Sequence, residues 1–211
     1  MVECVIFDLS EVLIPGLVGV EKELSRYLGI PEKEILPCFE GRMRDKLFLR
    51  QISEEVYIEH IIDQKGWDIS IEKVKQAIRN NFHNEIEGSR EILTALAPRV
   101  DLVLLSDHAQ EWVSYIRTAW PFLSLFQHTF FSFELGRMKD DPQTFHIVLN
   151  TLMLSPASCL FIDDNPGNVE IAEAVGIPSI RFLDAKRLAE QLKVADLKCV
   201  QHKNPQQGHD F

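Results

Sequence analysis

Residues 3–14 read ECVIFDLSEVLI, and Asp8 stands at the end of the apolar run Cys4-Val5-Ile6-Phe7, with Ser10 two places on. A continuous apolar run with β-branched members reads as a strand covered on both faces. In open α/β sheets ligands collect at the carboxyl ends of strands, so an acid there is placed for chemistry. The same position also suits a turn or capping aspartate. Three further strand-like runs lead into chemically useful groups: Leu102 to Leu105 into Ser106, Thr129 to Phe133 into Gly136-Arg137-Met138-Lys139, and Cys159 to Ile162 into Asp163-Asp164. A parallel sheet would gather three carboxylates, a hydroxyl and an ammonium in one cleft.

Carboxylates that close repel one another and raise each other's pKa unless a cation is present. A hard divalent ion with oxygen ligands resolves the conflict, and few carboxylates plus several waters suit Mg²⁺ better than Ca²⁺. The combined chemistry is phosphoryl transfer, in which an aspartate attacks phosphorus while metal and lysine offset charge on the transferring oxygens. Taken singly, Asp8, Ser106 and Lys139 are more often a cap, a turn residue or a solvated charge, and Asp163-Asp164 could open a helix. Their joint occurrence at four strand ends carries the argument.

The elements that must position these groups alternate along the chain. A fifth strand-like run, Ser179 to Phe182, completes the series, and helical patterns at Gln143 to Leu152 and Asn168 to Val175 lie between strands. Strands alternating with helices indicate a doubly wound α/β domain with a parallel sheet. The interval from Pro15 to Ile86 breaks the alternation with amphipathic patterns at Val20 to Leu28, Ile35 to Phe48, Glu54 to Gln64 and Ile71 to Phe82. This predicts a helical subdomain, 15–86, inserted into a discontinuous core of 1–14 and 87–200. Residues 201–211 are polar and read as a flexible tail.

With 32 acidic against 22 basic residues the chain carries a formal charge of −10 and has no basic block, which argues against nucleic acid or an anionic membrane as a partner. A small anionic substrate is compatible, because a bound metal reverses the local field. Cys4, Cys38, Cys159 and Cys199 lack close pairing and zinc-ligand spacing, so reduced thiols are expected. No secretory leader pattern and no membrane-length apolar run is present, and a cytoplasmic protein is the expectation. Oligomeric state is not legible.

FDLSEVL at 7–13, LLSD at 104–107, ELGRMKDDP at 134–142 and FIDDNPGNVEIAEAVGI at 161–177 together resemble the haloacid dehalogenase-like (HAD) hydrolases. Within that family the sequence is most similar to small bacterial sugar-phosphate phosphatases and the phosphatase domain of soluble epoxide hydrolases. The resemblance implies a Rossmann-like core, a helical cap between the first two motifs, and Mg²⁺-dependent phosphatase chemistry on a small phosphorylated metabolite. It implies that Asp8 is nucleophile and metal ligand, that Ser10 lends its backbone carbonyl to the metal, and that Ser106 and the Asp107 N–H bind the phosphoryl group. Lys139 would steady nucleophile and phosphate. Asp164 would be the direct metal ligand, with Asp163 beside it and Asn168 in support. The halide-removing branch is a poorer match, since it carries an aromatic hydroxyl where Ser10 stands and does not need the paired acids.

The departure is Ser10. Most phosphatases of this family have an aspartate there that protonates the leaving group and later activates water. A serine hydroxyl cannot, which puts at risk a contribution of roughly 10²–10⁴-fold. Glu11, in place of a common glycine, reads as solvent-facing sooner than as a surrogate acid. An acyl or anomeric phosphate, with a low-pKa leaving group, would need less protonation. The alternative is a HAD-fold binding or regulatory protein that turns over little. Arg42, Arg44, Phe48 and Arg50 are cap candidates for reading the substrate, while Met138, His108, Trp112, His60, His83 and His146 read as packing or solvent-exposed residues.

Overall fold

In the computed structural model, which describes residues 1–195, the run before Asp8 becomes the middle of a sheet. The strands among these residues are β1 (Cys4–Phe7), β2 (Asp101–Ser106), β3 (His128–Phe131), β4 (Cys159–Asp163) and β5 (Ser179–Arg181), paired in parallel in the order β3-β2-β1-β4-β5. The alternation of side chains along β1 divides the apolar residues between two layers. Val5 and Phe7 join Leu102, Leu104, Leu160 and Ile162 on one face. Cys4 and Ile6 join Val103, Leu105, Cys159 and Phe161 on the other. A central strand buried on both faces has no polar side, which is why its sequence is a run and not an alternation.

Chain order moves outward from β1 through β2 to β3, then returns to β4 and moves outward again to β5. The reversal falls between β1 and β4, so Asp8 and Asp163-Asp164 leave the sheet side by side at the switch point. Asp8 N–H donates to the Ile162 carbonyl at 2.9 Å, holding that register to the last residue.

The inserted segment folds into α1 (Val20–Leu28), α2 (Glu32–Ile35), α3 (Arg42–Phe48), α4 (Glu54–Lys65) and α5 (Ile71–Asn81). Ser53 and Ser70 cap α4 and α5 by accepting from the N–H of Val56 and Lys73. The single pattern expected over Ile35 to Phe48 is divided by a 3-10 turn at Leu36–Phe39 and by Gly41 at φ 94°. Pro37 has no N–H to continue a helix, and the positive φ of Gly41 suits glycine alone among common residues. The core helices are α6 (Ser89–Leu96), α7 (Gln110–Ala119), α8 (Ser132–Leu135), α9 (Pro142–Leu152), α10 (Pro166–Ala174) and α11 (Ala185–Val194). The strand expected through Phe133 stops at Phe131, because Ser132 turns inward: its Oγ accepts from His108 N–H at 3.0 Å and donates to the Phe48 carbonyl at 2.7 Å. The expected tail at 201–211 and Cys199 lie outside the described residues. No helix of the structure is long and apolar enough to cross a membrane among the described residues.

Cap and sheet share one apolar layer. Phe39, Tyr57, Ile58 and Phe82 belong to the same buried cluster as Phe7 and Leu104. Trp112 on α7 meets the rings of Phe48, Tyr57 and Phe82 at 5.8, 6.4 and 5.7 Å between centroids. A polar pin runs through this interface. Glu54, only 4% exposed, takes both guanidinium nitrogens of Arg79 at 2.6 Å and the Trp112 indole N–H at 2.6 Å. Glu54→Ala would leave a half-desolvated guanidinium and a buried indole N–H unpaired, and should cost about 3 kcal/mol in urea denaturation. Replacing Glu54 and Arg79 together by methionine should cost clearly less. Equal losses for the two variants would show that the pin is not a coupled pair.

Candidate active site

The turn after β1 is built from its own backbone. Leu13 and Ile14 N–H both donate to the Leu9 carbonyl, and Glu11 N–H donates to that of Ile14. Leu9, Val12, Leu13 and Ile14 go inward, which leaves Ser10 and Glu11 on the cleft side. Glu11 sits in the left-handed region at φ 60°, a conformation that costs a non-glycine residue about 1 kcal/mol. Its carboxylate offsets this by accepting from the N–H of Gly16 at 2.8 Å and of Val18 at 3.3 Å. A side chain at Gly16 would meet Ser10 Oγ at 2.9 Å, so the outgoing linker to the cap passes over the turn only as glycine. Glu11 is therefore engaged with the linker, where the sequence suggested an exposed residue.

Lys139 arrives from the loop between α8 and α9 and is 2% exposed. Its ammonium lies 2.8 Å from Asp8 Oδ1 and 2.6 Å from Asp163 Oδ2. Asp107 fixes the approach of that loop, since both its oxygens accept from Lys139 N–H at 3.1 Å. Asp163 has both oxygens occupied: Oδ1 accepts from Asn165 N–H at 2.8 Å, and Oδ2 accepts from Asn168 Nδ2 at 3.1 Å as well as from the lysine. Asp164 points its half-buried side chain along the cleft, while its backbone carbonyl accepts from Arg181. Oxygens of Asp8, Asp163 and Asp164 all lie within 4.8 Å of one another.

The electrostatics follow from burial. Desolvation pushes the Asp8 carboxyl up, to about 8, against the pull of Lys139, and Asp163 and Asp164 add to the rise. Burial also works against the Lys139 ammonium, but Asp163, Asp8 and Asp107 together outweigh it and hold its pKa above the ordinary value. Desolvation raises Asp164 too, with Asp163 contributing. Asp107 is raised to about 6, chiefly by burial. A cation among these carboxylates would relieve the repulsion that remains after the lysine is counted. The donor set fits a hard divalent ion: oxygen atoms only, two carboxylates with access to the cleft and the Ser10 turn beside them. Ser106, fully buried at the end of β2, has an Oγ without a partner among the described residues.

The cleft measures about 310 Å³, and Asp8, Ser10, Asp107, Lys139 and Asp164 form its floor. Ser106 and Asp163 lie beneath this surface, and Asn168 at its edge. Of the four cap candidates, Arg44 and Phe48 reach the cleft; Arg42 and Arg50 are exposed elsewhere. Positions 44 and 48 share a helix face and position 42 does not. His60 and His146 are exposed, and the exposed His83 meets the Tyr115 hydroxyl at 2.6 Å. Glu54 and Arg79, which fasten the cap over the cleft, carry no motif in the sequence.

The model of the haloacid dehalogenase-like hydrolase family matches residues 5–182. Flavin mononucleotide hydrolase 1 of Arabidopsis thaliana is 26% identical over 195 residues, covering 89% of this chain and 75% of that protein. D-ribitol-5-phosphate phosphatase of Bacteroides thetaiotaomicron is 21% identical over 203 residues, covering 86% and 92%. Among solved structures, a HAD family enzyme from Bacteroides thetaiotaomicron in a magnesium complex superposes with a TM-score of 0.75 at 19% identity, covering 91% of this chain and 98% of that one.

His108, next to Asp107, is 1% exposed, and burial pushes its imidazole pKa down to about 3, with the charges of Lys139 and Arg79 adding to the effect. Between about pH 3 and 6.5 the unfolded chain therefore binds a proton at this position that the native protein refuses, so this contribution to stability falls as pH falls. His108→Phe keeps the ring and removes the proton site. Its stability should drop less than that of the natural protein between pH 7 and 5, by about 2 kcal/mol in parallel urea titrations. Parallel pH profiles would show that His108 takes up its proton in the folded state.

Proposed function

The chain belongs to the haloacid dehalogenase-like hydrolase family, and we propose that within it the protein is a Mg²⁺-dependent phosphatase acting on a small phosphorylated metabolite through an aspartyl-phosphate on Asp8. One observation carries this reading: a buried lysine bridges Asp8 and Asp163 at the switch point of the sheet, and at the end of neighbouring β2 a buried serine hydroxyl has no partner among the described residues. A site built only for packing would not hold three carboxylates and an unpaired hydroxyl in one place.

In this reading Asp8 and Asp164, with the Ser10 carbonyl, would hold the metal, and Asp163 would add its charge while its oxygens stay bound to Lys139, Asn165 and Asn168. Bound Mg²⁺ supplies positive charge to the transferring phosphoryl oxygens. Ser106 Oγ and the Asp107 N–H receive phosphoryl oxygens, and the Lys139 ammonium offsets the charge that develops on them. An Asp8 oxygen attacks phosphorus, the bond from phosphorus to the leaving oxygen breaks, and water then attacks the same phosphorus to release phosphate and restore Asp8. The cap, pinned to α7, covers the cleft and limits access of bulk water.

A second reading, a metal- and anion-binding protein of low turnover, is favoured by a specific feature. Position 10 offers no carboxylate, and that of Glu11 is bound to the linker amides. Turnover separates the two. Asp8→Asn should reduce hydrolysis of a panel of phosphate esters to background, and a natural protein inactive on every ester with Mg²⁺ present would favour the binding protein. Independently of turnover, Mg²⁺ at a hundredfold excess over Kd should raise Tm by about 5–10 °C. Asp164→Ala should abolish that rise. An equal rise in both would remove Asp164 from the metal site.

A further inference from the structure

A second compartment of about 240 Å³ opens from the first, sharing Ser10, Glu11, Arg44, Phe48, Asp107 and Asp164 with it. Its remaining wall has a different character. Beside Phe48, the aromatic side chains of Phe39, His108 and Trp112 and the aliphatic ones of Leu17, Val18 and Leu36 line it, with the Glu40 carboxylate among them. Phe48 and His108 are stacked, 6.1 Å between centroids and 25° between planes, and the Arg44 guanidinium lies 5.8 Å over the Phe48 ring. Arg44 Nε and His108 Nδ1 are buried without a partner among the described residues. A pocket that joins the phosphoryl end is where the rest of a phosphate ester must lie. Its lining suits a flat ring with a polar substituent, the ring against the aromatic and aliphatic side chains and the substituent toward Arg44 Nε, His108 Nδ1 or Glu40. The volume would hold about eight waters, so one ring with small substituents fits.

The chemistry of position 10 points the same way from separate residues. Ser10 cannot give a proton to the departing oxygen, and the Glu11 carboxylate is held by Gly16 and Val18 N–H on the linker. An alkyl alkoxide, whose conjugate acid has a pKa of about 15–16 like water, leaves poorly without that proton. A phenolate, at about 10, does not need it.

Resting on the phosphatase reading, we propose that the physiological substrate is a compact aryl phosphomonoester, whose ring occupies the Phe48–His108–Trp112 compartment and whose oxygen departs unprotonated. Asp8 attacks phosphorus, and the P–O bond breaks with its electron pair passing to the phenolate, which takes a proton from solvent. The water that cleaves the aspartyl-phosphate returns one proton, so the sum is ester and water giving phenol and phosphate.

The test compares phenyl, benzyl and cyclohexyl phosphate with ribitol 5-phosphate at saturating Mg²⁺. Phenyl phosphate should exceed each of the others by tenfold or more in kcat/KM. Ser10→Asp should raise turnover of cyclohexyl and benzyl phosphate more than that of phenyl phosphate, narrowing the ratio. Phe48→Ala should lower kcat/KM for phenyl phosphate through KM. Ribitol 5-phosphate or cyclohexyl phosphate turned over as well as phenyl phosphate would overturn the proposal and leave the phosphatase reading intact. So would a ratio that Ser10→Asp does not change. Failure on every ester overturns both.

Discussion

The ammonium of Lys139, buried between two carboxylates, is the constraint on which the site depends. A charge taken this far out of water is tolerable only with partners in good geometry, and removing one would leave an uncompensated charge inside the protein. The lysine belongs to a loop, while its partners close two adjacent strands, so the ion pairs tie loop and sheet together at the switch point. Each partner is itself secured: Asp163 by Asn165 and Asn168, Asp8 by Leu9 N–H, and the loop backbone by Asp107. Three carboxylates around a single lysine leave negative charge in the cleft of a protein whose net charge is already negative.

The cap is joined to the core by the same kind of interaction at lower charge density. Glu54 satisfies Arg79 within the cap and Trp112 on the core at once, so moving the cap as a body must break a buried hydrogen bond. The two linkers are tied to each other as well, because Asn81 Nδ2 donates to the carbonyls of Gly16 and Val18 at 2.9 Å. Glu11 grips the opposite side of that linker through the amides. The strained φ of Glu11 and the tie of its carboxylate to the linker thus belong to one local arrangement. The turn directs its carboxylate to the linker, and the hydroxyl beside the cleft is left without an acid partner.

The alternation of short apolar runs with helical periodicity determined the parallel sheet and the helical insert. Both periods are local properties, set by which side chains share a face. The ends of β1, β2 and β4 were legible for the same reason, because a polar residue that closes an apolar run is visible within a few positions, whereas Lys139 arrives from the loop after α8. Tertiary structure decided what depends on contacts between distant segments. Glu54, Arg79 and Trp112 meet across 25 and 58 positions with no shared motif. Pro37 and Gly41 set where α3 begins and hence its rotation, which turned Arg44 and Phe48 to the cleft and left Arg42 and Arg50 outside. Asp163 and Asp164 look equivalent as a pair of letters, yet Asp163 closes β4 and is buried against Lys139, while Asp164 lies in the bend that follows the strand and faces the cleft.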